Sequence, residues 1–391
     1  MKMWTLLLLV FGTLFTACSE TPPISGTLTG LEERPPLVLY LVQPRTLDEI
    51  AASYVGLVLD SVEVQADGRF VFETLPDAPE PMLLELVLQA KGAKFPRKLE
   101  DEVPLTANYF PFVWQNGMQL ELSADAAHFQ SSLSILQPSA VNNAVLDLRN
   151  RRLAAFQQFL AGVDTAEHDA EQLLDEEAAH RRYQQAMMDF ADQTEHLLPA
   201  LVALRWVSPD NDFERVPEFL VSQCRQWQSR YPEHPWVQQL CAKTKELPVL
   251  VGDAMPEAML PMLSGDTLTL SGLLGARLTI VDLWASWCAP CRKENRAVLV
   301  PLWDEYGDEG LQIIGYALDG SAAAWKGAIQ KDGADRWLHA SHLQGDDAPL
   351  LDLLRIQTIP ANFLLDEEGM IIAKNLHGEE LLQFVHSYFK P

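Results

Sequence analysis

The apolar run Leu278-Thr279-Ile280-Val281-Asp282-Leu283-Trp284 leads through Ala285 and Ser286 into Trp287-Cys288-Ala289-Pro290-Cys291, and Arg292-Lys293-Glu294-Asn295-Arg296-Ala297-Val298-Leu299 follows. The first segment reads as a strand and the last as a helix, so Cys288 falls at a helix start and Cys291 one turn inside it. Unpaired N–H groups and the positive end of the helix favour a thiolate on Cys288, which makes that sulfur the attacking one. Cys291, three residues on, shares its face and is close enough to close a disulfide with Cys288 and release whatever was bound there. The stretch therefore predicts thiol exchange through a mixed disulfide. Half of a structural zinc site is the bland alternative, but zinc takes four ligands and usually a second closely spaced pair. Cys224 and Cys241 lie 17 positions apart in helical sequence, and His339 and His342 point to opposite faces of a strand.

These residues also carry a family resemblance. Val281 to Glu294 resembles the active-site segment of thioredoxin-like proteins, and in particular the extracytoplasmic TlpA/ResA-like branch. The likeness extends over about the last 140 residues and includes a second landmark, Gln357-Thr358-Ile359-Pro360-Ala361-Asn362-Phe363-Leu364-Leu365-Asp366-Glu367-Glu368-Gly369. It implies a cis peptide before Pro360, which would leave the backbone of Ile359 free to pair with an extended substrate. It implies that Asp282, six residues before the first cysteine, accepts the proton of the second thiol. A carboxylate inside an apolar strand is costly unless paired or protonated, so an exposed edge charge fits Asp282 poorly. Glu294 matches a glutamate that the ResA-like branch uses near its dithiol, although Lys293, Glu294 and Arg296 equally suit a solvated helix face. Trp287 and Trp284 are candidates for an apolar rim under the substrate, with core packing the better role for Trp284.

The rest of the catalytic segment alternates strands and helices, as a largely parallel central sheet requires. Leu311 to Leu318 reads as a strand, and Ser321 to Lys331 and Ala348 to Leu354 as helices flanking Trp337-Leu338-His339-Ala340. A hairpin spans Phe363 to Ala373, and Glu380 to Phe389 closes the chain.

The chain begins with Lys2, an apolar core from Leu6 to Phe15 and Thr16-Ala17 before Cys18. That apolar run is too short for a bilayer span and reads as an export signal. Cys18 after small residues suggests a bacterial lipoprotein site, with ordinary cleavage as the alternative. Ser19 is not the aspartate that retains enteric lipoproteins at the inner membrane, which favours a periplasm-facing outer-membrane anchor in the bacterial cell envelope.

From 391 residues, of which 48% are apolar, two or three domains are expected. The net charge of −25 is spread along the chain and argues against nucleic acid as a partner. Residues 1–17 are assigned to the signal peptide, 18–136 to an antiparallel β-sandwich-like domain, 137–247 to a helical region and 248–391 to an α/β thioredoxin-like domain. Short alternating runs mark the β domain, and Asp67-Gly68 between Ser61–Gln65 and Arg69–Glu73 predicts a hairpin. Its pattern resembles a β domain of unassigned function that often precedes thioredoxin-like domains in anchored lipoproteins.

In the helical region, Asp164 and Glu167 suit a capping pair for a long helix carrying the stripe Tyr183, Met187, Phe190, Thr194 and Leu197. Ser208-Pro209 suits the next helix start. Five cysteines exclude a disulfide scaffold. Cys224 and Cys241 fit either a structural disulfide between two helices or two buried thiols.

No flavin, nicotinamide or metal fingerprint appears, so no cofactor is expected. The partners expected are proteins with cysteines or disulfides, apocytochromes among them by resemblance, a membrane thiol electron donor, and the membrane itself through the lipid. Ala-Pro between the cysteines is nearer the Gly-Pro of reducing thioredoxins than the Pro-His of the strong oxidant, which points to a reductase. A thiol oxidase or isomerase, a redoxin-type peroxidase and a non-enzymatic surface binding protein are the alternatives.

Overall fold

The computed structural model describes residues 22–32, 34–51, 56–93, 102–162, 170–209, 213–247 and 249–390, excepting the side chains of 170–175 and 246. The export segment, Cys18 and the pair Asp164 and Glu167 lie outside the described residues.

The first half carries β1 (Ile24–Thr29), β2 (Leu37–Gln43), β3 (Leu57–Glu63), β4 (Arg69–Phe72), β5 (Met82–Ala90), β6 (Tyr109–Trp114) and β7 (Leu120–Asp125). A short helix α1 (Phe129–Ser132) and β8 (Ser134–Leu136) follow. They build two four-stranded sheets, ordered β4-β1-β7-β8 and β3-β2-β5-β6. The sandwich departs from the all-antiparallel expectation at β1 and β7, which run parallel in register from Ile24 opposite Leu120 to Thr29 opposite Asp125. The whole second sheet lies between them in sequence, so the chain re-enters the first sheet through a long crossover, as parallel neighbours require. Gly26 permits the close approach, because a Cβ there would sit 2.4 Å from the Leu122 carbonyl oxygen.

The turn expected at Asp67-Gly68 forms, with the Gly68 amide donating to the Gln65 carbonyl at 2.8 Å and the Gln65 amide to the Arg69 carbonyl at 2.9 Å, but the strands beyond it part at a corner. β3 pairs with β2 and β4 pairs with β1, so the turn passes the chain from one sheet to the other. Gly68 has φ +85° and its carbonyl accepts from the Leu28 amide, which anchors the corner on β1. Phe70 and Phe72 then bury themselves between the sheets, and that burial decides which sheet β4 joins. β6 carries Pro111 and stands at an edge, where a missing N–H costs no ladder bond.

Five helices cover the other face of the second sheet: α2 (Ala140–Phe159), α3 (Ala170–Gln193), α4 (Leu197–Val207), α5 (Pro217–Arg230) and α6 (Pro235–Lys243). Leu83, Val87, Tyr109 and Val113 on that face share one apolar core with Met187, Phe190, Leu201 and Trp206. The buried Arg152 pins the layer: it lies 4.5 Å from the Trp206 ring centroid and donates to Glu102 at 3.1 Å, Gln130 at 2.9 Å and the Tyr183 hydroxyl at 2.8 Å. The predicted long stripe is broken. α3 ends at Gln193, and Leu197 opens the wholly buried α4. Ser208-Pro209 ends α4 instead of starting a helix, because Arg205 draws both carbonyls onto its guanidinium and the next helix begins at Pro217.

The last third adds β9 (Met259–Pro261), β10 (Thr267–Thr269), β11 (Leu278–Trp284), α7 (Ala289–Glu294), α8 (Val300–Tyr306), β12 (Leu311–Ala317) and α9 (Ala322–Asp332). After these come β13 (Leu338–Ala340), α10 (Pro349–Leu354), β14 (Ala361–Leu365), β15 (Ile371–Lys374) and α11 (Gly378–Phe389). The five-stranded sheet runs β13-β12-β11-β14-β15. It is mixed, not largely parallel: β11, β12 and β13 run parallel, while β14 runs antiparallel to β11 and β15, joined to β14 by a hairpin, antiparallel to β14. β11 is buried along its whole length at the centre. Between α7 and α8 the helix passes through a wide π turn, Asn295–Leu299. Pro301 follows that turn, and the added residue accommodates a ring that would otherwise press on the preceding turn.

Candidate active site

The central strand β11 delivers its chain end to α7, and the turn between them sets the two cysteines. Cys288 is the N-cap of α7 with extended backbone, and its Sγ accepts from the Cys291 amide at 3.3 Å. The two are joined as a disulfide with Cα atoms 5.4 Å apart, and both are buried. An amide aimed at Sγ stabilises negative charge there once the disulfide opens.

The turn is held from several sides. Ser286 donates its amide to Asp319 at 2.9 Å and its hydroxyl to the same carboxylate. Arg292 donates to the Ser286 carbonyl at 3.1 Å while paired with the buried Asp332, which also binds Arg296 at 2.7 Å. Asp319, Arg292 and Asp332 were not singled out from sequence.

Asp282 is 4% exposed, opposite Gly315 and Asn362 on the neighbouring strands. Burial, and after it the Glu294 carboxylate, pushes its carboxyl well above the ordinary range. Glu294 is 1% exposed, so the solvated-face alternative does not hold. Its oxygens accept from His377 Nδ1 at 2.8 Å and the Gly378 amide at 3.1 Å. His377 is buried as well, and among the described residues its Nε2 has no hydrogen-bond partner. The structure thus gathers two buried acids, one on β11 and one on α7, and an imidazole, of which sequence reasoning missed the imidazole.

Ile359–Pro360 is a cis peptide. A groove of about 450 Å³ is lined by Trp287, Leu318, Leu351, Ile356, Thr358 and Ile359, with Asp346, Asp352 and Gln357 completing its wall. Trp287 is 63% exposed beside Cys288. Trp284 is buried and packs edge-on against His339, whose imidazole is pushed down to about 4 by burial. Cys224 and Cys241 form a disulfide between α5 and α6, with Cα atoms 5.0 Å apart.

Residues 251–374 match the model of the AhpC/TSA family. The thiol-disulfide oxidoreductase ResA of Bacillus thuringiensis (strain Al Hakam) is 24% identical over 140 residues, covering 36% of this chain and 77% of its own. The thiol:disulfide interchange protein DsbE of Pseudomonas fluorescens biotype C is 31% identical over 135 residues, covering 32% of this chain and 67% of its own. The crystal structure of the thioredoxin domain of a thiol-disulfide oxidoreductase from Bacteroides vulgatus is 29% identical, with TM-score 0.34, covering 36% of this chain and 99% of that one. The dithiol at the end of a central strand, the cis proline and the matches to ResA and DsbE agree, and the chain belongs to the thioredoxin-like thiol-disulfide oxidoreductases of the ResA and DsbE type.

Proposed function

We propose that this enzyme reduces protein disulfides outside the cytoplasm. The observation that carries the proposal is the Cys288 sulfur at the start of α7, receiving the Cys291 amide and lying beside an apolar groove with an exposed tryptophan. In the reduced enzyme the Cys288 thiolate attacks one sulfur of a substrate disulfide. The substrate S–S bond breaks, a Cys288–substrate bond forms, and the other substrate sulfur leaves as a thiolate that takes a proton. Cys291 then loses its proton to Asp282 and attacks Cys288, forming the intramolecular disulfide and expelling the second substrate thiol. Two electrons pass to the substrate, and a membrane thiol donor must return them.

Glu294 tunes Asp282 through charge, in keeping with their shared burial. Trp287 supplies the rim, and Ile359 and Pro360 present the backbone on which an extended segment aligns. Among the described residues no hydrogen bond reaches the Ile359 amide, which supports this pairing role. Residues 1–17 as signal peptide and Cys18 as lipid site complete the proposal by anchoring the protein in the envelope. Residues 18–136 and 137–247 then hold the catalytic residues 248–391 away from the membrane.

The test is the reduction potential of the Cys288/Cys291 couple with Cys224 and Cys241 replaced. A value near roughly −270 mV supports a reductase, whereas one near roughly −120 mV makes the enzyme an oxidant.

A further inference from the structure

The loop that carries Ile359 and Pro360 is not held by the thioredoxin-like part alone. Glu214, which precedes α5, is only 5% exposed. Its Oε1 accepts the Gln357 amide at 2.9 Å, the Thr358 amide at 3.4 Å and the Thr358 hydroxyl at 3.4 Å. The next residue, Arg215, donates to the Pro360 carbonyl at 3.0 Å and pairs with Glu177 of α3 at 3.4 Å. From the other end, Arg355 donates to the carbonyls of Lys245 and Leu247 at 2.7 and 3.2 Å. A buried carboxylate is costly unless hydrogen-bonded, and here consecutive backbone amides supply the bonds. The residues before and after Ile359 are therefore tied to the helical region, while Ile359 itself is left facing the groove with Trp287.

We propose that Glu214 and Arg215 are positioning residues of the substrate-pairing loop, so that the helical region forms part of the thiol-exchange site. This rests on the exchange reading above. Glu214 and Arg215 touch no reacting atom. They set where the Ile359 backbone stands relative to Cys288, and hence how well a peptide, as opposed to a small disulfide, can align.

The test compares Glu214→Ala, Glu214→Gln and Arg215→Met in the full chain on two substrates, a disulfide-linked peptide and bis(2-hydroxyethyl) disulfide. Glu214→Ala is expected to raise KM for the peptide about tenfold with kcat little changed. Reduction of the small disulfide should stay within about twofold, since it needs no backbone pairing. Glutamine keeps a carbonyl oxygen as acceptor and should restore most of the peptide affinity, while Arg215→Met should show a smaller loss of the same kind. If Glu214→Ala does not fold, Arg215→Met carries the same comparison. Equal losses on both substrates, glutamine as damaging as alanine, or an unchanged peptide KM would each overturn the proposal. A wild-type enzyme that reduces neither substrate defeats the exchange reading itself, a result distinct from a loss of selectivity.

Discussion

Cys224–Cys241 and Cys288–Cys291 differ less in the bond than in what surrounds each sulfur. The first links two helices across 17 positions of chain, and both cysteines are half-buried against the core under α4. The second closes a single helical turn, so it constrains almost nothing, but one of its sulfurs receives an amide and the strand leading into it carries a buried acid. A disulfide serves stability when it shortens a long loop of the unfolded chain, and it serves exchange when one sulfur can carry charge. The two requirements are separable, and this chain meets them at different places.

Substitution can break that contrast. Cys288→Ser should abolish disulfide reduction, lowering the rate by about a thousandfold or more, as removal of a nucleophile does. Insulin reduction with Cys224–Cys241 intact would show it, and appreciable remaining turnover would mean that the helical pair exchanges after all. Asp282→Asn should slow release of the mixed disulfide by about a hundredfold, the size of a general-base contribution, which rapid-quench trapping of the covalent species would detect.

The same variant has a stability signature. Because burial raises the Asp282 carboxyl in the folded state, the native chain binds that proton more tightly than the unfolded chain. The stability this adds is fully present below the unfolded value and is lost as pH rises through the folded one. Asparagine removes the dependence, so denaturation midpoints of Asp282→Asn relative to wild type should climb with pH across that window. A flat difference would show that burial does not raise the Asp282 carboxyl.

Trp287→Ala should raise KM for a protein substrate by about threefold, the loss of one exposed aromatic contact. Replacing Cys224 and Cys241 together by serine should leave exchange within about twofold yet cost about 3 kcal/mol in denaturant unfolding, as loop closure over that span predicts. The opposite result, slow exchange with unchanged stability, would reverse the roles of the two pairs.

The dithiol was legible because everything it needs is adjacent in sequence: a strand, two cysteines and a helix within Leu278 to Leu299. Asp282 stood out for the same local reason, a charge in an apolar run. What was hidden depends on distant partners. His377 meets Glu294 across 83 positions, and Glu214 meets Gln357 across 143. In the sandwich, alternation located the runs Ser61–Gln65 and Arg69–Glu73 but could not show that β4 leaves β3 for β1, since pairing choice is made by the burial of Phe70 and Phe72 against another sheet. Ser208-Pro209 suited a helix start and ended one, because Arg205 claimed the carbonyls.

The π turn at Asn295–Leu299 acts as a phase shifter in the helix that bears the cysteines. One surplus residue rotates everything after it by about 100° relative to a plain α-helix. Upstream, Cys291 and Glu294 are turned inward; downstream, so are Leu302 and Tyr306. Removing that single residue would give a more regular helix whose two ends could no longer both face the interior. The chemistry and the packing are thus kept in step by a local irregularity, and shortening the helix there by one residue would desynchronise them.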